Sequence, residues 1–112
     1  MENLYIVGAG MTRFGRHLDR SIKSLTAEAV QAACDDARIG LDTIQAAYFG
    51  NVTQGYFENQ ICIPGQIALL SMGLSGIPIS TAEGTCATAS MALHLAFNHL
   101  RAGEGEIVLA VG

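Results

Sequence analysis

The stretch Ile79-Ser-Thr-Ala-Glu-Gly-Thr-Cys-Ala-Thr-Ala-Ser-Met-Ala-Leu93 decides how the rest of the chain is read. It ends a short strand, turns through Gly84 and opens a helix at Cys86. From Cys86 to Leu100 small or apolar residues recur on nearly every side, among them Ala87, Met91, Ala92, Leu95, Ala96 and Phe97. That pattern belongs to a helix surrounded by protein rather than one lying on water. Its first turn presents unpaired N–H groups and the positive end of the backbone dipole, which favour a thiol as thiolate, the form that attacks carbonyls. Strand, glycine turn and cysteine-led helix together make a mount for a nucleophile, one that a buried helix would expose only through a pocket. Position alone equally fits a small hydrophobe filling a helix start.

Working outward, Pro78 cannot donate to a ladder, so Ile77-Pro-Ile-Ser-Thr81 is expected at a sheet edge, where a partner subunit would protect it. On the far side of the helix, Glu106-Ile-Val-Leu-Ala-Val-Gly112 is a nearly continuous apolar run of the kind found in central parallel strands. Upstream, Pro64 to Met72 reads as a helix with proline near N1 and Gly73 beyond its end. Ala46-Ala-Tyr-Phe-Gly-Asn-Val52 reads as a strand, followed by turn-rich sequence. Ser24 fits an N-cap with Glu28 in the first turn, and Leu25, Ala29, Ala33 and Ala37 recur at helical spacing to Gly40 as C′. The adjacent Asp35 and Asp36 near that helix end point in different directions and read as solvated. Leu4-Tyr-Ile-Val-Gly-Ala-Gly10 reads as a buried strand bounded by a turn. A dinucleotide loop is rejected there, because the third glycine of G-x-G-x-x-G would fall at Arg13. Strands and helices therefore alternate, which predicts an α/β fold with a mostly parallel or mixed sheet and helices on both faces.

The chain has 112 residues, half of them hydrophobic and 14% charged. The charged share is well below the usual one of about 25%, so one compact domain is expected, with much of its surface covered by other protein. A net charge of −4 without a Lys/Arg cluster argues against a nucleic-acid partner. No apolar run approaches the roughly 20 residues a membrane span needs, and no basic-then-apolar leader opens the chain. Cys34, Cys62 and Cys86 form no C-x-x-C pair, which suits free thiols in a reducing, cytoplasmic setting rather than a disulfide framework or a metal site.

A nucleophilic cysteine needs a base, yet His94 and His99 lie about 12 and about 20 Å along the same helix. Neither can reach the sulfur, nothing directs His17 or Arg13 to it, and no G-x-S-x-G elbow supports a serine hydrolase.

Gln66-Ile-Ala-Leu-Leu-Ser-Met-Gly-Leu74, Glu83-Gly-Thr-Cys-Ala-Thr-Ala-Ser-Met-Ala-Leu93 and Glu106–Gly112, with Ile6-Val-Gly-Ala-Gly-Met-Thr-Arg-Phe-Gly15, resemble in order the N-terminal part of a thiolase. The likeness is to the lipid-transfer (SCP-x-like) and archaeal thiolases especially. It implies a thiolase-like fold with a central buried helix led by Cys86, residues 1–112 being an interrupted part of the N-terminal half of a duplicated architecture. It also implies that Cys86 takes an acyl group from an acyl-CoA as a thioester, with coenzyme A thioesters as substrates, no bound cofactor and no metal. A homodimer or homotetramer through the Ile77–Thr81 edge, and a small OB-fold companion protein, follow from the same resemblance. The family's cysteine is usually followed by Ala/Gly-Ser-Gly, whereas Ala87-Thr88-Ala89 stands here, which implies an altered fit around the acyl group. The family's catalytic histidines and second cysteine have no counterpart in these residues, so the 112 residues alone are expected to show no turnover. Other condensing enzymes, such as ketoacyl or HMG-CoA synthases, and a non-catalytic thiolase-like scaffold are the alternatives.

Overall fold

A computed structural model describes residues 3–112. Helix α1 spans Ile22–Ala37. A 3-10 turn at Leu41–Thr43 leads into strand β1 (Ala46–Gly50), then short helix α2 (Gln54–Glu58) and α3 (Pro64–Ser71). Strand β2 (Ile79–Ala82), a 3-10 turn at Thr85–Ala87, helix α4 (Thr88–Arg101) and strand β3 (Val108–Val111) follow.

The sheet runs β2-β1-β3 and is parallel throughout, with Ala47 opposite Ile79 on one side and Leu109 on the other. Passing from β1 to β2 and then from β2 back across β1 to β3 moves in opposite directions along the sheet. Right-handed crossovers must then place α3 and α4 on opposite faces. Side-chain alternation along β1 agrees: Ala47 and Phe49 join the core formed by Val30 and Cys34 of α1, Ala68 and Leu69 of α3, and Ile44 and Leu74. On the other face Tyr48 meets His99 of α4 edge-on at 5.9 Å, its hydroxyl 3.1 Å from Nδ1. The predicted α/β architecture with helices on both faces is therefore present.

The edge position of the Pro78 strand is as expected, since β2 pairs only with β1 among the described residues, and the Pro78 carbonyl accepts the Ala47 N–H at 3.0 Å. Helix α1 starts one turn earlier than predicted, because Ser21 rather than Ser24 caps it, its hydroxyl accepting the Ser24 N–H at 3.1 Å. The Glu58 carboxylate takes the next free donor, the Ile22 N–H, at 2.6 Å. At the other end Arg38, not Gly40, adopts the left-handed conformation (φ 58°), and Ile39 N–H reaches back to Cys34 C=O, a Schellman closure. Asp36 is not merely solvated: its carboxylate accepts the Ala9 N–H at 2.9 Å.

Three expectations fail. Leu4–Gly10 is not a buried strand; Tyr5, Ile6 and Val7 are 65–74% exposed, and the segment pairs with nothing among the described residues. A cleft of about 280 Å³ separates residues 5–10 from β3. The segment runs instead over α1, where Gly8 and Gly10 lie so close that a Cβ on either would meet Ala37 or Ala32 within 2.8 Å. The predicted alanine stripe of α1 thus packs on backbone, while Thr26, Val30 and Cys34 face the core. Second, among the described residues β3 is an edge strand, half-buried along its length, rather than a central one. Third, α4 is covered on one side only: Thr88, Ala92 and Ala96 are buried, whereas Met91 and Leu93 are exposed. Among the described residues no helix is long and apolar enough to cross a membrane.

Candidate active site

Cys86 sits in the 3-10 turn at Thr85–Ala87, two residues ahead of α4 rather than as its first residue. It is exposed. The turn is built with strain. Thr85 holds a left-handed conformation at φ 49°, which costs a non-glycine residue about 1–2 kcal/mol. Glu83 supports it, its carboxylate accepting the Thr85 N–H. A Cβ on Gly84 would meet the Met91 thioether, and that flexible side chain would have to move aside.

Thr88 closes the turn. Its hydroxyl accepts the Gly84 N–H at 3.0 Å and donates to the Thr85 carbonyl at 2.6 Å, while the Ala87 N–H reaches the Gly84 carbonyl at 3.0 Å. The two residues that depart from the usual thiolase motif are both absorbed by glycines at strand ends. A Cβ on Gly50, at the end of β1, would stand 2.6 Å from the Thr88 methyl, and a Cβ on Gly112 would overlap Ala89. Sequence reasoning treated Thr88 only as a departure; its signal was a hydroxyl two residues after the cysteine, at a helix start.

The turn lies at the carboxyl end of β2, the edge at which open parallel sheets bind their ligands. The switch point of this sheet falls between β1 and β3, where Gly50, Asn51, Val111 and Gly112 rim a cleft of about 290 Å³. No base joins Cys86 from its own helix. His94 points to Asn98, Nε2 3.2 Å from the amide, and His99 is held at the far end of α4 between Tyr48 and Glu104. His17 turns its Nε2 to the Arg13 carbonyl at 2.6 Å. The other thiols differ from Cys86 in setting: Cys62 is exposed, whereas Cys34 is buried, and burial, with Asp35 adding to it, pushes its thiol above the ordinary value of 9.0. Among the described residues no three His, Cys, Asp or Glu side chains gather as metal ligands.

A parallel α/β unit carrying a cysteine on a strained turn between an edge strand and its crossover helix is the thiolase-like fold. The same arrangement of elements is found in the crystal structure of 3-oxoacyl-[acyl-carrier-protein] synthase III from Aquifex aeolicus, with a TM-score of 0.73 at 14% identity over 92% of this chain and 34% of that one. The family model for the thiolase N-terminal domain matches residues 4–112, and the chain belongs to the thiolase family. It is 37% identical over its whole length to an acetyl-CoA acetyltransferase of Methanocaldococcus jannaschii, covering 28% of that protein. It is 36% identical to human sterol carrier protein 2, covering all of this chain and 20% of that protein. The chain thus spans about a quarter of the length of these relatives, and the archaeal and lipid-transfer likeness read from the sequence holds.

Proposed function

We propose that these residues are the N-terminal part of a thiolase-type acyl-CoA C-acyltransferase in which Cys86 is the acyl-accepting nucleophile. The Cys86 sulfur attacks the thioester carbonyl, the bond to coenzyme A breaks, and coenzyme A leaves as its thiol. The acyl group then passes to the carbanion of a second acyl-CoA, forming a C–C bond and returning the thiol. In the degradative direction Cys86 attacks the 3-keto carbonyl of a 3-oxoacyl-CoA, the C2–C3 bond breaks, the departing acyl-CoA carbanion takes up a proton, and the acyl group left on sulfur passes to coenzyme A. Substrates are coenzyme A thioesters, with no resident cofactor. The observation that carries this reading is the exposed Cys86 on its strained turn at the carboxyl edge of the sheet, in a chain of the thiolase family. Incubating the full-length protein with acetyl-CoA should yield an acetyl adduct on the Cys86 peptide by mass spectrometry, and Cys86→Ser should abolish it. A protein that turns over acyl-CoA without that adduct, or that neither turns over nor is acylated, defeats the reading; the second result fits a scaffold.

The protein is further proposed to work in the cytoplasm as a homodimer or homotetramer joined along Ile77–Thr81. Support comes from the edge position of β2, whose Ser80 and Thr81 are exposed. Native mass spectrometry of the full-length protein should show an even-numbered assembly, and a small OB-fold companion would register there as added mass.

A further inference from the structure

Resting on the acyl-transfer reading above, we infer that Thr88 is a positioning residue for Cys86, clasping the strand side of the turn that carries the sulfur to the helix start. The hydroxyl is bonded at once to Gly84 and to Thr85, both on the strand side of Cys86, and so ties that side of the turn to the start of α4, where Thr88 itself sits two residues beyond the cysteine. Thr88 is buried, 6% exposed, whereas Cys86 is exposed. The partly buried Gly84 N–H loses its partner when the hydroxyl is gone.

The methyl group has its own part. A β-branched side chain is already stiff about χ1, and the Thr88 methyl stands against Gly50, where nothing larger than hydrogen fits. The methyl packed at Gly50 and the stiff χ1 together keep the hydroxyl aimed at the turn. A serine would carry the same hydrogen bonds with freer rotation. The clasp also opposes the strain at Thr85, whose left-handed backbone would relax if its carbonyl were released. Cys86 therefore presents its sulfur from a turn whose strand side is tied to the helix start, and the geometry of attack depends on a side chain that never touches the substrate.

The test uses the full-length protein with Thr88→Val, which keeps shape and loses the hydroxyl, and Thr88→Ser, which keeps the hydroxyl. Misplacing a nucleophile by about 1 Å can cost about 100-fold. Thr88→Val should slow acetylation of Cys86 by acetyl-CoA about 10- to 100-fold with little change in KM, and Thr88→Ser should stay within about 3-fold of the parent. A second readout needs no acyl transfer: the rate of Cys86 alkylation by iodoacetamide, followed by peptide mass spectrometry with Cys62 as internal reference. It should fall about 3-fold or more in Thr88→Val and be restored in Thr88→Ser. If valine lowers the yield of folded protein, Thr88→Ala removes the same hydroxyl without bulk and is expected to give the same alkylation change. Parent-like acetylation and alkylation in the hydroxyl-less variants overturn the inference. A parent that is never acetylated, together with alkylation that still depends on the hydroxyl, overturns the acyl-transfer reading while upholding the clasp.

Discussion

Cys34 and Cys86 carry the same thiol into opposite settings, one sealed in the core and one on a surface turn. Burial pushes the Cys34 thiol up, and the neighbouring Asp35 carboxylate adds to that, because both disfavour a thiolate. In the native protein N-ethylmaleimide at mildly alkaline pH should label Cys62 and Cys86 and spare Cys34, which becomes reactive only in denaturant. The sign of the pH effect follows from the same shift. Below the ordinary value of 9.0 both folded and unfolded thiols keep their protons, and the contribution to stability is fully present. As pH rises above that value the unfolded chain loses its proton first, so stability falls until the raised folded value is passed. Urea midpoints should therefore drop above that value, and Cys34→Ala should remove that part of the alkaline drop. Cys86 was legible in the sequence because a glycine turn before a small-residue helix is a local pattern. Its exposure was not, since alanines at Ala87 and Ala89 and leucine at Leu93 say nothing about whether a neighbour covers them.

At the scale of elements, helical spacing placed α1, proline and glycine positions placed α3, and a run of small and apolar residues placed α4, while the ends of α1 were set by contacts the spacing did not show. Ser21 and Ser24 both suit an N-cap; Glu58, 36 residues beyond Ile22, favours the earlier start by taking the Ile22 N–H. The N-terminal run failed as a strand for a similar reason. Its residues have strand character, but Gly8 and Gly10 pack closely on α1, and a cleft keeps the run off β3. Two substitutions probe these junctions. Arg38 pays left-handed strain of about 1–2 kcal/mol, and glycine would relieve it at a flexibility cost of about 0.5–1 kcal/mol. Arg38→Gly should thus stabilise by roughly 0.5–1 kcal/mol in urea titration, whereas an unchanged or lower midpoint would mean that the Arg38 side chain contributes more than its strain removes. Between β1 and α4, Gly50→Ala would force a Cβ against the Thr88 methyl and should destabilise by about 1–3 kcal/mol. Adding Thr88→Ser deletes the opposing methyl, so the double variant should recover part of the loss; strict additivity would mean that the two groups do not meet.

At the scale of the whole molecule, the low charge content and the exposed apolar surface are one fact seen twice. Only 14% of the residues are charged, and Phe14, Leu18, Tyr56, Phe57, Ile61 and Met11 are each at least 76% exposed. Apolar surface at this density drives association when nothing else covers it. Expressed as a separate 112-residue chain, the protein should bind anilinonaphthalene sulfonate and sediment with a mass that rises with concentration. Phe14→Lys combined with Phe57→Glu should lower both signals. The same separate chain should show no acyl transfer, because no histidine on α4 reaches Cys86. A positioned base contributes about 10²–10⁴-fold and an oxyanion donor about 10²–10³-fold, and the rate lost without them exceeds what a poised sulfur recovers. Cys86 alkylation should nonetheless proceed in that chain, since the turn, Thr88 and Gly50 are all within it. A separate chain that transfers acyl groups at the full-length rate would locate the base among these residues. His17 would then be the first to replace, because it lies in a loop outside the helix whose length separates the other two histidines from the thiol.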